Sequence, residues 1–337
     1  MTSTELDTST PAGIIRLGNA FCDAKALLTA VELGLFTTLR ESGPSTTEEI
    51  RGRLGLHGRG LSDFLDLLAS LGLLERADGK YGNAAGPDRY LVRGEVTYVG
   101  GFLERSNRNL YPAWGRLSEA LRTGEQQSGS DFEKVTKNPE LLRAFIGMMD
   151  ALTHVIGPEL VEAFDWSNAT SVLDVGGARG NLCSQIVKAA PHLTGHVFDL
   201  PAMEPFFDEK MNQLGLTGKL HFHGGSFFET DLPAADVVVL GHVLHDWDRE
   251  QRGYLIGKAF RAVNPGGSLI VYDRMLDDQP DHVENLVISL DMLLVTEGGS
   301  EYPASEVREH ASAAGFTDIT VSPLSDFDTI VVCRKAA

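Results

Sequence analysis

Asp174-Val175-Gly176-Gly177-Ala178-Arg179-Gly180 closes the apolar run Val172-Leu173-Asp174-Val175 and leads into a helical stretch over residues 181–190. A buried strand, a glycine turn and a helix in that order open an alternating α/β sheet. Three further strand-like runs follow: His196-Val197-Phe198-Asp199, Asp236-Val237-Val238-Val239-Leu240 and Ser268-Leu269-Ile270-Val271-Tyr272. Helical stretches at 250–262 and 304–314 alternate with them. The pattern predicts an α/β fold over residues 168–337, a doubly wound, Rossmann-like and largely parallel sheet. Residues 319–321 and 329–333 read as two more strands, an antiparallel edge pair.

Ligands of such sheets bind beyond the carboxyl ends of the strands. That makes Asp174, Gly176 and Gly177 candidate cofactor-binding residues, the glycines allowing a tight turn and close backbone approach. Asp199 lies 25 residues after Asp174, at the end of the next strand. A carboxylate there can accept hydrogen bonds from ribose hydroxyls. The dinucleotide fingerprint Gly-x-Gly-x-x-Gly fails, because Ala178 holds its second glycine position. The methyltransferase form, acidic-x-Gly-x-Gly-x-Gly, fits except at that same alanine. A purely structural turn is the plain alternative.

Upstream, residues 1–12 are Thr/Ser-rich and are expected to be disordered. The stretch 14–39 is helical in pattern, and Ala24–Leu39 presents an apolar surface too wide for a simple amphipathic helix. Such a surface needs the protein's own core or a partner subunit. Ser45 with Glu48, or Thr46 with Glu49, reads as a capping box. Residues 58–74 form a second amphipathic helix, and Asp78-Gly79 a hairpin turn. The order predicts an all-α, winged-helix-like domain over 13–100. Residues 101–167 read as a mainly helical linker bearing Phe102, Tyr111, Trp114, Phe145, Met148 and Met149.

The chain has 337 residues and a net charge of −18, of which −3 falls in the first 105 residues. Neither part suits a nucleic-acid partner, which needs local positive charge. Cys22, Cys183 and Cys333 are isolated and match no zinc spacing. The polar N-terminus lacks a signal pattern, and no uninterrupted apolar run approaches a membrane span. A cytoplasmic protein without membrane attachment is expected.

After the strand 236–240 comes Gly241-His242-Val243-Leu244-His245-Asp246-Trp247-Asp248. With Asp174–Gly180, Phe198-Asp199-Leu200-Pro201, Asn264-Pro265-Gly266-Gly267 and Ala30-Val31-Glu32-Leu33-Gly34-Leu35-Phe36, this resembles the plant-type, caffeate O-methyltransferase-like small-molecule family and its bacterial natural-product branch. The resemblance runs from about residue 14 to 334. It implies S-adenosylmethionine as cofactor, held by Asp174, Gly176, Gly177, Asp199 and Leu200. The loop Gly225-Ser226-Phe227-Phe228 would meet it too, with Ser226 where many members have Asp. Met149 and Thr153 match site-lining positions. His245 would be the general base, with Asp273 and Glu301 as the flanking acids; Asp273 stands where many relatives have the longer Glu. It further implies a homodimer through intertwined N-terminal helices and a small aromatic acceptor.

The chemistry suits these groups. A phenol, with a pKa near 10, is about 0.1% ionised at pH 7, so a base helps methyl transfer. A neutral imidazole can take that proton, with help of about 10²–10⁴. A carboxylate on its far nitrogen would set the tautomer. His242 is the rival base, and strand parity places it on the opposite side from His245. Asp246 and Trp247 read as the start of the next helix. A metal site at this histidine pair lacks spaced ligands, and none is expected. Open alternatives are C- or N-methylation, a hydroxylase or decarboxylase on the same fold, or a winged-helix ligand-sensing regulator.

Overall fold

The computed structural model describes residues 7–95, 97–128, 135–277 and 282–337. The expected disorder of residues 1–12 lies partly outside that range; Thr10 already caps a helix, accepting from the Gly13 amide at 3.1 Å. The chain divides into two compact units, residues 1–112 and 113–337.

The first unit opens with α1 (Pro11–Glu32) and α2 (Leu35–Ser42). One continuous helix was expected; Gly34, at φ 70°, breaks it in a conformation that suits glycine. Of the two possible capping boxes, Thr46 with Glu49 forms, opening α3 (Thr47–Leu54). After α4 (Leu61–Ser70), strands β2 (Leu74–Ala77) and β3 (Lys80–Asn83) make the expected hairpin. Asp78 at φ 51° and Gly79 at φ 76° supply its left-handed turn. The short β1 (Ser45–Thr46) pairs with β3. Ala26, Ala30, Val31, Leu35, Phe36 and Leu39 all enter this unit's own core with Ile50, Leu65 and Leu68. The wide apolar surface of Ala24–Leu39 is therefore largely spent inside the unit. The apolar face left uncovered lies earlier, at Ile14, Ile15, Leu17 and Phe21, each more than half exposed.

The second unit holds a seven-stranded sheet of order β6-β5-β4-β7-β8-β10-β9. Its strands are β4 (Ser171–Val175), β5 (Thr194–Asp199), β6 (Leu220–Gly224), β7 (Ala235–Gly241), β8 (Val263–Asp273), β9 (Asp318–Pro323) and β10 (Thr329–Arg334). The first five run parallel, and β10 pairs antiparallel with β8 and β9, as the sequence predicts. Buried strand residues alternate between two cores. Val172, Val197, Val237 and Ile270 face one; Leu173, Phe198, Val238 and Leu269 face the other. Three elements carried too weak a pattern to be read: β6, and the helices Glu204–Leu214 and Val283–Val295.

The helix α5 (Pro139–Ala163) is long and apolar enough, by length and composition alone, to cross a membrane. It packs on α6 (Asn181–Ala189), whose Gln185 donates to the Thr153 carbonyl at 3.2 Å, and its Asp150 reaches the glycine turn and the helix Glu204–Leu214. Asp150 on α5 accepts from Arg179 Nε at 2.7 Å and from Lys210 at 3.2 Å, and Asn181 donates to its carbonyl.

Candidate active site

β4 has β5 on one side and β7 on the other, so their carboxyl ends form the switch point where such sheets bind ligands. The glycine turn follows β4 there. Gly176 sits at φ 75°, and a Cβ on it would meet Val243 at 2.7 Å; one on Gly177 would meet Asp174 Oδ2 at 2.5 Å. The turn thus lies flat against both. Asp199 closes β5 and receives two backbone amides, Ala178 on Oδ2 at 2.7 Å and Leu200 on Oδ1 at 2.6 Å. Ala178 takes φ 47°, a left-handed conformation that costs an alanine about 1–2 kcal/mol.

Asp174 and Asp199 are held in this turn with few counter-charges. Burial, then the Asp199 charge, raises Asp174 to about 7; burial raises Asp199 to about 6 against its two amide bonds. Asp174 Oδ2 is buried without a hydrogen-bond partner among the described residues. Two under-compensated carboxyls beside a glycine turn suit a cationic nucleoside with a ribose diol. The residues present therefore fit S-adenosylmethionine.

The loop after β6 lies next along this edge. Gly225 donates its amide to the Asp199 carbonyl at 2.9 Å, and the Ser226 hydroxyl accepts from the Phe228 amide at 3.3 Å. Phe227 and Phe228 meet Trp247 edge-on at centroid distances of 5.7 and 4.6 Å. Trp247 therefore ties this loop to the His245 segment. The next helix, α7 (Arg249–Ala262), is capped by Asp248, not by Asp246.

His245 sits on a single 3₁₀ turn just past β7. Its Nδ1 lies 2.8 Å from Glu301 Oε1 and 3.5 Å from Asp273 Oδ1. The structure thus gathers His245, Asp273 and Glu301, but unequally. Glu301 reaches hydrogen-bond distance, whereas the shorter Asp273 acts through charge. Asp246 Oδ1 is 3.9 Å from Nε2. Burial opposes charge on the ring, but Asp273, the Glu301 hydrogen bond and Asp246 prevail and raise His245 to about 10. Burial raises Asp273 to about 7, with His245 pulling the other way.

Two contributors escaped the sequence reading. Tyr302 donates its hydroxyl to Asp273 Oδ2, fixing that carboxyl. At Gly299 a Cβ would meet the His245 carbonyl at 2.5 Å, so glycine lets the Glu301 segment lie against His245. Adjacency to Glu301 was the available signal for both.

His242 corrects the parity argument. The strand ends at Gly241, and His242 takes φ 51°, so its ring lies 5.6 Å from that of His245 instead of on the far side. Its Nε2 is 2.9 Å from Asp328 Oδ1. His242, His245 and Asp273 bring ligand atoms within 4.8 Å of one another, a grouping with Asp273 that the sequence did not suggest.

Met149 and Thr153 share α5, the Thr153 hydroxyl donating to the Met149 carbonyl at 2.8 Å. Of the aromatic wall candidates, Phe145 packs against a cluster with Met203 and Phe206, and Trp114 against one of Ala113, Ala120 and Leu294. Phe102 and Tyr111 belong to the first unit.

Residues 114–317 match the O-methyltransferase domain family, and residues 15–93 its O-methyltransferase dimerisation domain. The tetracenomycin polyketide synthesis 8-O-methyl transferase TcmO of Streptomyces glaucescens is 45% identical, covering 96% of this chain and 97% of its own. The N,N-dimethyltransferase OxyT of Streptomyces rimosus is 39% identical over 94% of each. Human N-acetylserotonin methyltransferase, solved in complex with its methyl donor, superposes with a TM-score of 0.88 at 27% identity over the whole of both chains. With its sheet, its glycine turn and its histidine–carboxylate group in place, this chain belongs to the O-methyltransferase family and is an enzyme that uses S-adenosylmethionine.

Proposed function

We propose that the enzyme methylates a phenolic or enolic hydroxyl of a small aromatic secondary metabolite, with His245 as general base. The observation that carries this reading is the buried His245, its Nδ1 held by Glu301 at 2.8 Å. That bond assigns Nδ1 to the carboxylate and leaves Nε2 for the acceptor's proton.

Asp174, Gly176, Gly177, Asp199 and Leu200 hold the cofactor in this proposal, with Gly225, Ser226 and Phe227 beside it and Met149 and Thr153 lining the acceptor side. Bound there, S-adenosylmethionine supplies a methyl group on a good sulfonium leaving group. The protein must align the acceptor oxygen and take its proton. Alignment can contribute roughly 7–11 kcal/mol.

The carboxylates decide the proton transfer. An ordinary histidine, near 6.5, would accept from a phenol near 10 against a gap of about 5 kcal/mol. With His245 raised to about 10, the transfer is close to even. The consequence is that His245 carries a proton at neutral pH in the free enzyme. Turnover therefore rises with pH as that proton leaves.

The domains follow in this reading. Residues 13–100 dimerise, 101–167 bear acceptor-side helices and 168–337 bind the cofactor and catalyse. The exposed Ile14, Ile15, Leu17 and Phe21 of α1 supply an apolar face for a second copy. The net charge of −18 speaks against nucleic acid, and we place the enzyme in the cytoplasm.

N-methylation is the second reading, favoured by the likeness to OxyT. A screen of aromatic acceptors with isotope-labelled donor, read by mass spectrometry and NMR, tests both. We expect a single labelled methyl on oxygen. A label found only on nitrogen or carbon, or an oxidised or decarboxylated product without label, overturns the assignment.

A further inference from the structure

Three histidines meet on one face of the β5–β6 edge, outside the site described above. His221 and His223 are two residues apart on β6 and project to the same side. The register sets His196 opposite His221 and Phe198 opposite His223. Nδ1 of His196 stands 3.0 Å from Nε2 of His223. The rings of His221 and His223 lie 5.4 and 5.2 Å from that of His196. His196 and His223 are half-buried, and His221 is exposed.

A neutral imidazole offers one lone pair to a metal ion. Two imidazole nitrogens bound to one ion at about 2.0–2.1 Å stand roughly 2.9–3.4 Å apart, for right-angle to tetrahedral geometry. The 3.0 Å separation falls inside that window. An N–H···N hydrogen bond is the competing account of this distance.

We propose that His196 and His223 form a divalent transition-metal site at the sheet edge, which the exposed His221, whose nitrogens stand farther off, completes by rotating in when the ion binds. Imidazole donors favour Zn²⁺ or Cu²⁺ over Mg²⁺. The site does not depend on the methyl-transfer reading. Its far strand leads into Gly225, so an ion there would brace the start of the proposed cofactor loop.

The test is calorimetry of tag-free, full-length protein with Zn²⁺ and, separately, Mg²⁺. The group His242, His245 and Asp273 could also take an ion, so His245→Ala is titrated alongside. We expect one Zn²⁺ per chain, no Mg²⁺ binding, and unchanged affinity in His245→Ala. His196→Gln and His223→Gln should each weaken Zn²⁺ binding on the order of 10- to 100-fold. The exposed His221→Gln, which leaves the buried pair untouched, should weaken it about 10-fold. No Zn²⁺ binding, undiminished binding in all three glutamine variants, or loss of binding in His245→Ala overturns the proposal.

Discussion

Two regions at the carboxyl edge of one sheet are built in opposite ways. The cofactor edge draws on two short segments, the turn after β4 and the end of β5, and is made largely of backbone: Gly176, Gly177 and the amides of Ala178 and Leu200 meeting Asp199. The cluster around His245 is made of side chains drawn from three distant segments, with Asp273 and Glu301 28 and 56 residues further on. Both concentrate buried carboxyls, yet with different results. Beside the turn the carboxyls lack a cation, and burial pushes them up. At His245 burial also raises Asp273, but the histidine pulls it back, and the carboxyls together make the imidazole strongly basic. The second region carries its cation on a side chain of the protein, and the first does not.

Breaking the side-chain region should have the largest effect. His245→Ala is expected to cut kcat by about 10²–10⁴ while leaving calorimetric binding of S-adenosylmethionine intact. Unimpaired turnover in this variant would remove the base from the mechanism. On the backbone side, Asp199→Ala should weaken cofactor binding by roughly 10- to 100-fold, the value of hydrogen bonds to a charged group. An unchanged Kd would place the ribose elsewhere.

A finer contrast comes from Glu301→Gln. Losing the carboxylate lowers the His245 pKa, because its hydrogen bond and charge both favour the cation. The rising limb of kcat/KM against pH should move toward acid, and kcat should fall by about 10-fold as the base weakens. Stability responds with a definite sign. The folded pKa near 10 exceeds the unfolded value near 6.5. Its stabilisation is therefore full below about pH 6.5 and is lost as pH rises through 10. In Glu301→Gln that alkaline loss should shrink, as thermal unfolding at pH 7 and 10 will show. A pH profile that does not move would sever Glu301 from the base.

The smallest expected effect lies in the turn. Ala178→Gly relieves a left-handed alanine at φ 47° but frees the unfolded chain. The net is a gain of about 0.5–1 kcal/mol in chemical unfolding, with cofactor binding kept. A loss of stability would mean that the Ala178 methyl contributes more by packing than its backbone costs.

Legibility followed the same division. The parallel sheet and its edge pair could be read because β4, β5, β7, β8 and β10 are apolar runs bounded by breakers. β6 could not, since Leu220-His221-Phe222-His223 alternates with histidine and is short. The N-terminal helix was drawn too long because periodicity continues across Gly34, whose positive φ only the fold reveals. Of the two covers open for the apolar surface of Ala24–Leu39, the unit's own core or a partner, the core takes most of it, and the apolar side chains left exposed are Ile14, Ile15, Leu17 and Phe21. Hydrophobicity alone does not say which face the unit's own core will consume.

By itself the sequence determined the sheet, the glycine turn, the acid at the end of β5 and the candidate histidine. The first three rest on period, spacing and local backbone preference, which act between near neighbours; the histidine rests on the resemblance to the O-methyltransferase family. Only the tertiary structure decided that Glu301 and not Asp273 grips Nδ1, that Tyr302 holds Asp273, and that His242 lies beside His245 instead of behind it. The first two depend on how segments far apart in the chain pack together, and the third on the left-handed backbone at His242, none of which local sequence preference sets.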